Sequence, residues 1–569
     1  MVIDARLRDG VLNTDICIVG AGPAGITLAR EFSDLPVRVT LLESGQFTPD
    51  ASAQQLGEGD VDSYHLDADA LENGRRRQFG GTTNLWTYES EPPDGRFYAR
   101  SVPPEALDLE SRPGVPDSGW PMTLDQLRPS YVRAQSLWNG ADFDYSLNRW
   151  SDGRTTVQAP GGVLETRICQ HGPADVFSVR YRDDLLAADN VGVLLGCTAL
   201  AFESGAGHGA VQRLRVARPD GSAFVVEAQA FVLACGGVEN AQLLLLSDAT
   251  VPGAVGNRFD TIGRWVTTHP ECRMGIITPD DADAFERIAL YDVRWQHRHM
   301  VSAFFTLPEE VKRSEGLLNL SVGITPRGRG FGTPAHRAMT TLTTAVRRRE
   351  KPAHVAAQLA TVLRSPKDTA DALLRRNAGN YSENKGGWSR HDVDGSQFAA
   401  IELWAAPEQS AERDNRYTLS TRRDHFGRNR IHLDWHWSQA DRDNTDRSMR
   451  LVSDLLEQAG LGSFRRWAEF TGPARPPQSG LHHAMGGTRM HVDPRQGAVD
   501  ENCRVHGLPN VYVAGSSVFP TGLGYANPTL TVLALVMRLA DHLKSELGIQ
   551  PAATRQNGRL ASTVLGDRE

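Results

Sequence analysis

Residues 14–32 read TDICIVGAGPAGITLAREF, and this stretch decides the fold. Ile16 to Val19 form a short apolar strand, the glycines fall at Gly20, Gly22 and Gly25, and a helical pattern rich in alanine and leucine follows. A second apolar strand, Val37 to Leu42, ends at Glu43, eighteen residues beyond Gly25. Each part has a mechanical reason. Gly20 permits the tight turn, Gly22 lets a pyrophosphate approach the backbone, and Gly25 lets the helix pack close against its strand. Pro23 and Ala24 open that helix, whose N-terminal N–H groups face the phosphates, while Glu43 is placed to accept the ribose hydroxyls. A glycine-rich turn alone is a weak signal. With strand, helix and acid in register, it predicts a Rossmann-like dinucleotide site.

Outward from this unit, the βαβ rhythm stops. Residues 50–150 are rich in Asp, Pro, Gly and Trp with few periodic segments. Strand-like runs return at Val191–Leu195 and Ala230–Ala234, the second leading through Gly236–Gly237 into a helix from Val238. The middle of the chain predicts strands at Leu318–Ile324 and Arg430–Trp437 and helices near Ala353–Leu363 and Arg447–Ala459. In IHLDWHWS, Ile431, Leu433, Trp435 and Trp437 share one face, which reads as an amphipathic strand in preference to a metal site. The basic run Arg347–Lys351 reads as solvated surface. Near the end, a strand at Val511–Ala514 meets Gly515–Ser516, and a long helix starts with Pro528 in its first turn, where a missing N–H costs nothing.

Composition excludes several classes. The 569 residues carry 61 Lys and Arg against 69 Asp and Glu, a formal charge of −8 without a basic stripe, so a nucleic-acid binder is not expected. The six cysteines are scattered, with no Cys-x-x-Cys pair, which argues against a disulfide scaffold or a thiolate zinc site. The first residues lack an apolar signal region and the longest apolar run, near Leu530–Met537, is too short for a membrane span. The expectation is a soluble, cytoplasmic protein with a flexible tail over 551–569.

Five segments then occur in a telling order: GAGPAG with Glu43, FGGTTNLW (Phe79–Trp86), VLACGGVENAQLLL from Val232, HHAMGGTRM (His482–Met490) and GYANPTLT (Gly524–Thr531). Together they resemble the glucose–methanol–choline (GMC) oxidoreductases, FAD enzymes that oxidise alcohols and sugars, and within that family they look most like pyranose oxidase and bacterial sugar- and glycoside-oxidising relatives. The resemblance implies an α/β architecture: a discontinuous FAD domain (1–95, 185–268 and 475–550) and a sheet-based substrate domain from 96–184 and 269–474. It implies flavin contacts at Gly80, Gly81, Thr82, Thr83 and Asn84, and at Ala199, Gly515, Ser516, Asn527, Pro528 and Thr529. The family's catalytic histidine lies seven positions before the methionine of Thr-Arg-Met, which is His483 here, with His482 its competitor. The second catalytic position precedes the proline of the last helix and is Asn527. Where pyranose oxidase carries a flavin-linking histidine, this chain has Leu85, so dissociable FAD is expected.

These residue types suit the chemistry independently. Oxidising an alcohol needs a base for the O–H proton, and a neutral imidazole serves. An amide such as that of Asn527 orients the oxygen, although an Asn before Pro also reads as a helix cap. His269 in TTHP, Gln409 and Asp434 read as structural. The expectation is therefore oxidation of a hydroxyl on a sugar, glycoside or other alcohol, with electrons passing to oxygen or another acceptor. The rival readings are a redox-neutral lyase on the same fold, a non-catalytic flavoprotein and a nicotinamide dehydrogenase.

Overall fold

The structure is a computed structural model describing residues 7–550 except 9, 90–92, 205–208, 251–255, 329–330, 332, 349–353, 375–383, 394 and 468–480. The tail expected over 551–569, the end of the basic run at 349–351 and the start of the segment expected from 475 lie outside the described residues.

Two large sheets organise the chain. In the first, five strands run parallel in the order Val191–Leu194, Val39–Leu42, Val11–Val19, Ala223–Leu233 and Val511–Val513. All four residues of Val39–Leu42 are buried, the near-continuous apolar pattern of a strand covered on both faces. Val211–Ala217 and Thr198–Ser204 extend the sheet antiparallel from the first half of Ala223–Leu233. Val19 lies opposite Leu42 and Leu233, and Leu233 opposite Val513. The carboxyl ends of these strands therefore form one edge, the place where open parallel sheets bind ligands.

The second sheet is antiparallel in all its pairings. Its order is Ser463–Arg466, Cys272–Thr278, Phe398–Pro407, Leu320–Gly328, His299–Thr306, Glu165–Pro173, Phe97–Ser101 and Tyr88–Glu89. A small third sheet joins Arg416–Arg423, Asn429–Asp434 and Gly59–Asp62. The fold is the α/β two-domain arrangement expected, with segment boundaries that differ locally. Tyr88–Glu89 pairs with the second sheet, and Gly59–Asp62 with Asn429–Asp434.

One helix was not expected in the stretch that looked aperiodic. Leu124–Trp138 begins at a reciprocal cap in which Thr123 accepts from the Gln126 amide and Gln126 from the Thr123 amide. Pro129 sits inside it and masks the pattern. Its Tyr131 hydroxyl meets the Thr531 hydroxyl at 2.9 Å, so it packs on the C-terminal helix, Pro528–Glu546. The expected amphipathic strand ends early, at Asp434, but Ile431, Leu433, Trp435 and Trp437 are all buried. All six cysteines are free. Among the described residues no helix is long and apolar enough to cross a membrane, and no cluster of metal-ligating side chains occurs.

Candidate active site

A cavity of about 560 Å³ opens along the carboxyl edge of the first sheet and continues beneath the second. At one end lies Glu43, whose two carboxylate oxygens accept from the Ala21 and Gly45 amides at 2.9 and 2.8 Å. Beside it is the turn at Gly20. That residue has φ +103° and a side chain there would stand 2.6 Å from the Ala234 carbonyl oxygen. Gly22, by contrast, faces the cavity: a Cβ on it would meet nothing nearer than 4.0 Å. Pro23, Ala24, Gly81, Thr82 and Ala199 also line the wall. Gly25 acts one layer back, since a Cβ there would fall 2.0 Å from the Gly20 carbonyl oxygen.

Two helices present uncapped N-termini here. Pro23–Glu31 and Pro528–Glu546 each lack a side-chain cap, so their first N–H groups are left for a ligand. An open glycine backbone, an acid at the end of the neighbouring strand and two such helix ends fit an FAD-sized dinucleotide.

Three residues expected at the cofactor do not line the cavity. Gly80 holds a left-handed turn at φ +93°, the Thr83 hydroxyl donates back to the Gly80 carbonyl at 2.8 Å, and the Asn84 amide donates to the Phe79 and Gly81 carbonyls at 3.1 and 2.8 Å. They shape the turn that presents Gly81, Thr82 and Leu85.

At the other end, His483 and Asn527 come together. The Asn527 amide nitrogen lies 3.3 Å from His483 Nε2, and both side chains face the cavity. Asn527 occupies the cap position of the last helix, but its side chain makes no capping bond. Its amide is spent on the histidine instead. His482 is exposed at the cavity wall.

His269 completes the arrangement. The backbones of Thr267 and Met485 pair antiparallel, exchanging two hydrogen bonds of 2.9 Å. Two residues along each chain, that register sets His269 opposite His483. Their Nδ1 atoms are 3.0 Å apart. The other ring nitrogen of His269 meets the Gly522 carbonyl, which only accepts, so His269 carries its proton on Nε2. Burial holds the pKa of His269 down at about 4, so its ring is neutral and its Nδ1 is an acceptor. His483 must then donate from Nδ1, leaving the Nε2 lone pair turned toward Asn527 and the cavity. Burial, and then the neighbouring His269, His482 and Arg100, which would repel a second proton there, keep His483 well below the usual imidazole range.

Glycines admit this geometry. A Cβ on Gly237 would fall 2.3 Å from the Ala484 carbonyl oxygen, and one on Gly524 2.4 Å from Asn319 Cβ. Beneath the loop that carries Asn527, Arg112 forms a buried ion pair with Glu408, and Lys312 with Glu105. The Asn319 amide donates to Asp108 at 3.0 Å. Burial, with Glu408 and Glu105 nearby, pushes the Asp108 carboxyl up to about 7. Gln409 and Asp434 lie apart: Gln409 accepts from the Thr268 amide and the Trp435 indole, and Asp434 pairs with His436.

Comparison with known proteins fits this geometry. Residues 15–268 match the FAD binding domain family, and residues 411–535 match the GMC oxidoreductase family. In these two segments the chain resembles the GMC oxidoreductases. The chain is 34% identical over 140 residues to 6'''-hydroxyparomomycin C oxidase of Streptomyces lividus, covering 25% of this chain and 24% of that protein. It is 30% identical over 138 residues to the C-glycoside 3-oxidase of Arthrobacter globiformis, covering 24% and 25%. The match thus spans about a quarter of these curated relatives, and they are aminoglycoside and glycoside oxidases rather than pyranose oxidases. Among solved structures, pyridoxine 4-oxidase from Mesorbium loti superposes with a TM-score of 0.50 at 18% identity, covering 94% of this chain and 99% of that one. An FAD-dependent oxidoreductase from Chaetomium thermophilum gives 0.52 at 16%, covering 95% and 100%. These likenesses speak for the fold alone.

Proposed function

We propose that the chain is a GMC oxidoreductase that converts a hydroxyl of a sugar, glycoside or other alcohol to a carbonyl, with His483 as the base and Asn527 as the group that orients the reacting oxygen. The observation that carries this reading is the relay from the Gly522 carbonyl through His269 to His483. It leaves a lone pair on Nε2, 3.3 Å from an amide donor, in the cavity. A substrate hydroxyl seated there gives its proton to Nε2 while the Asn527 N–H holds the oxygen. His269 is a positioning residue, because it selects the tautomer and turns the ring without touching substrate. The relatives named above, oxidases of an aminoglycoside and of a C-glycoside, support the sugar or glycoside class.

Bound FAD supplies the acceptor for the hydride that leaves the carbinol carbon. Gly20, Gly22 and the N-terminus of Pro23–Glu31 hold its pyrophosphate, Glu43 its ribose, and the N-terminus at Pro528 and Thr529 offers positive potential to the isoalloxazine. Leu85 has no atom able to bond covalently to that ring, which supports a dissociable cofactor.

Anaerobic mixing with a panel of glycosides, free sugars and simple alcohols tests the reading. One of them should bleach the yellow holoenzyme, and acid precipitation should leave FAD in the supernatant. A flavoprotein whose colour no alcohol discharges would refute the assignment.

A further inference from the structure

The cavity contains several arginines, and they differ in one respect. Arg75 and Arg77 pair with Glu239, Arg428 pairs with Asp424, and Arg76 is exposed to solvent. Arg100 lines the same cavity, is only 7% exposed, and has no carboxylate within ion-pair distance among the described residues. It projects from the strand Phe97–Ser101 on the second sheet, across the cavity from the turn of His483. Its guanidinium lies over the rings of Phe304 at 4.9 Å and Trp404 at 5.8 Å. Those contacts orient a cation without neutralising it. Glu271, the exposed acid on this wall, makes no ion pair with it and acts on it only at longer range.

Trp404 adds an independent observation. Its indole Nε1 is buried and has no hydrogen-bond partner, and the ring lines the same wall. The ring rests against the backbone of Gly323, where a Cβ would come within 2.2 Å of it. The donor is therefore held in place. A buried cation without an anion and a buried N–H without an acceptor are each costly when left alone. A ligand oxyanion satisfies the cation, and a planar carboxylate matches the fork of a guanidinium.

We infer that the substrate oxidised at His483 carries a carboxylate, held by Arg100 where its guanidinium rests over the Trp404 ring, which makes it a sugar acid or related polyhydroxy acid. This rests on the function proposed above and narrows its substrate. A neutral glycoside fills the same space and leaves Arg100 without an ion-pair partner.

The holoenzyme with matched pairs tests it: D-glucuronate against D-glucuronamide, and D-gluconate against D-gluconamide, compared by anaerobic flavin reduction. The acid should exceed its amide roughly 30-fold or more in kcat/KM, mostly through KM, the ratio expected for a buried charge pair. Arg100→Gln should remove that preference, Arg100→Lys should restore part of it, and Trp404→Phe should weaken it with FAD fully retained. Succinate, which offers no hydroxyl, should perturb the flavin spectrum of the wild type and bind at least roughly 30-fold more weakly to Arg100→Gln. That binding reads the anion site even if no alcohol is turned over. Equal kcat/KM for acid and amide, or succinate affinity unchanged in Arg100→Gln, overturns the inference. Reduction by neutral glycosides alone would do so too, while leaving the proposed oxidation intact.

Discussion

His269 Nδ1 stands 3.0 Å from His483 Nδ1, and two neutral imidazoles can share that distance only if one donates and the other accepts. The Gly522 carbonyl decides which, by occupying the only proton of His269. Replacing His269 with Phe removes the acceptor and frees His483 to flip between tautomers. The rate of flavin reduction should fall by as much as the roughly 10²- to 10⁴-fold that a positioned base supplies, and the acid limb of the pH profile should move. His269→Gln, which restores an acceptor, should recover part of the rate. A Phe variant that lost thermal stability but kept its rate and profile would show that the contact is structural.

His483→Ala should slow reduction by roughly 10²- to 10⁴-fold while leaving FAD bound. His482→Ala should leave it near the wild-type rate, because that side chain is exposed and makes no hydrogen bond among the described residues. Stopped-flow reduction of both variants compares the two adjacent histidines directly. The opposite pattern would shift the catalytic register by one residue.

The acid limb of kcat/KM should lie below pH 6.5, the ordinary imidazole value. A base must be deprotonated to work, and burial lowers the pKa of His483, so the working form persists as the pH falls through 6.5. Activity is lost only once the pH drops through the lowered value. An inflection at or above 6.5, measured with one substrate across the range, would contradict the buried, neutral imidazole.

Gly25→Ala places a methyl 2.0 Å from the Gly20 carbonyl oxygen. Helix and turn must separate, at a cost of about 1–3 kcal/mol for an overpacked core site. The purified variant should therefore show a reduced ratio of flavin to protein absorbance. Full flavin occupancy would mean that the turn tolerates the shift.

Glu408→Gln leaves Arg112 buried beneath the loop of Asn527 without its anion. Breaking one side of a buried pair costs about 3–5 kcal/mol, so the melting temperature should fall well below that of the wild type. Calorimetry of the two holoenzymes gives the comparison.

Much of the cofactor half was legible because its signals are local. The turn at Gly20, Gly22 and Gly25, the acid at Glu43 and Pro528 at a helix start are all set within a few residues, and the structure places each where that spacing implied. The FGGTTNLW turn was read one layer too generously. Gly80, Thr83 and Asn84 are polar or small for the sake of the turn's own hydrogen bonds, and a string of letters does not tell these from ligand contacts. Leu124–Trp138 was missed because Pro129 hid its period, although Thr123 and Gln126 spelled its start.

The order of glycines, acid, adjacent histidines and Asn-Pro along the chain was enough to point to a family, a cofactor and a candidate base. Those properties rest on contacts between near neighbours in sequence. Only the tertiary structure decided that His269 faces His483 and that Arg100 and Trp404 share their cavity. Each of these meetings joins strands or loops more than a hundred residues apart in at least one pairing, and depends on sheet register rather than composition. A histidine in TTHP or an arginine in FYARS has no chemical role until folding chooses its neighbours and takes away its water.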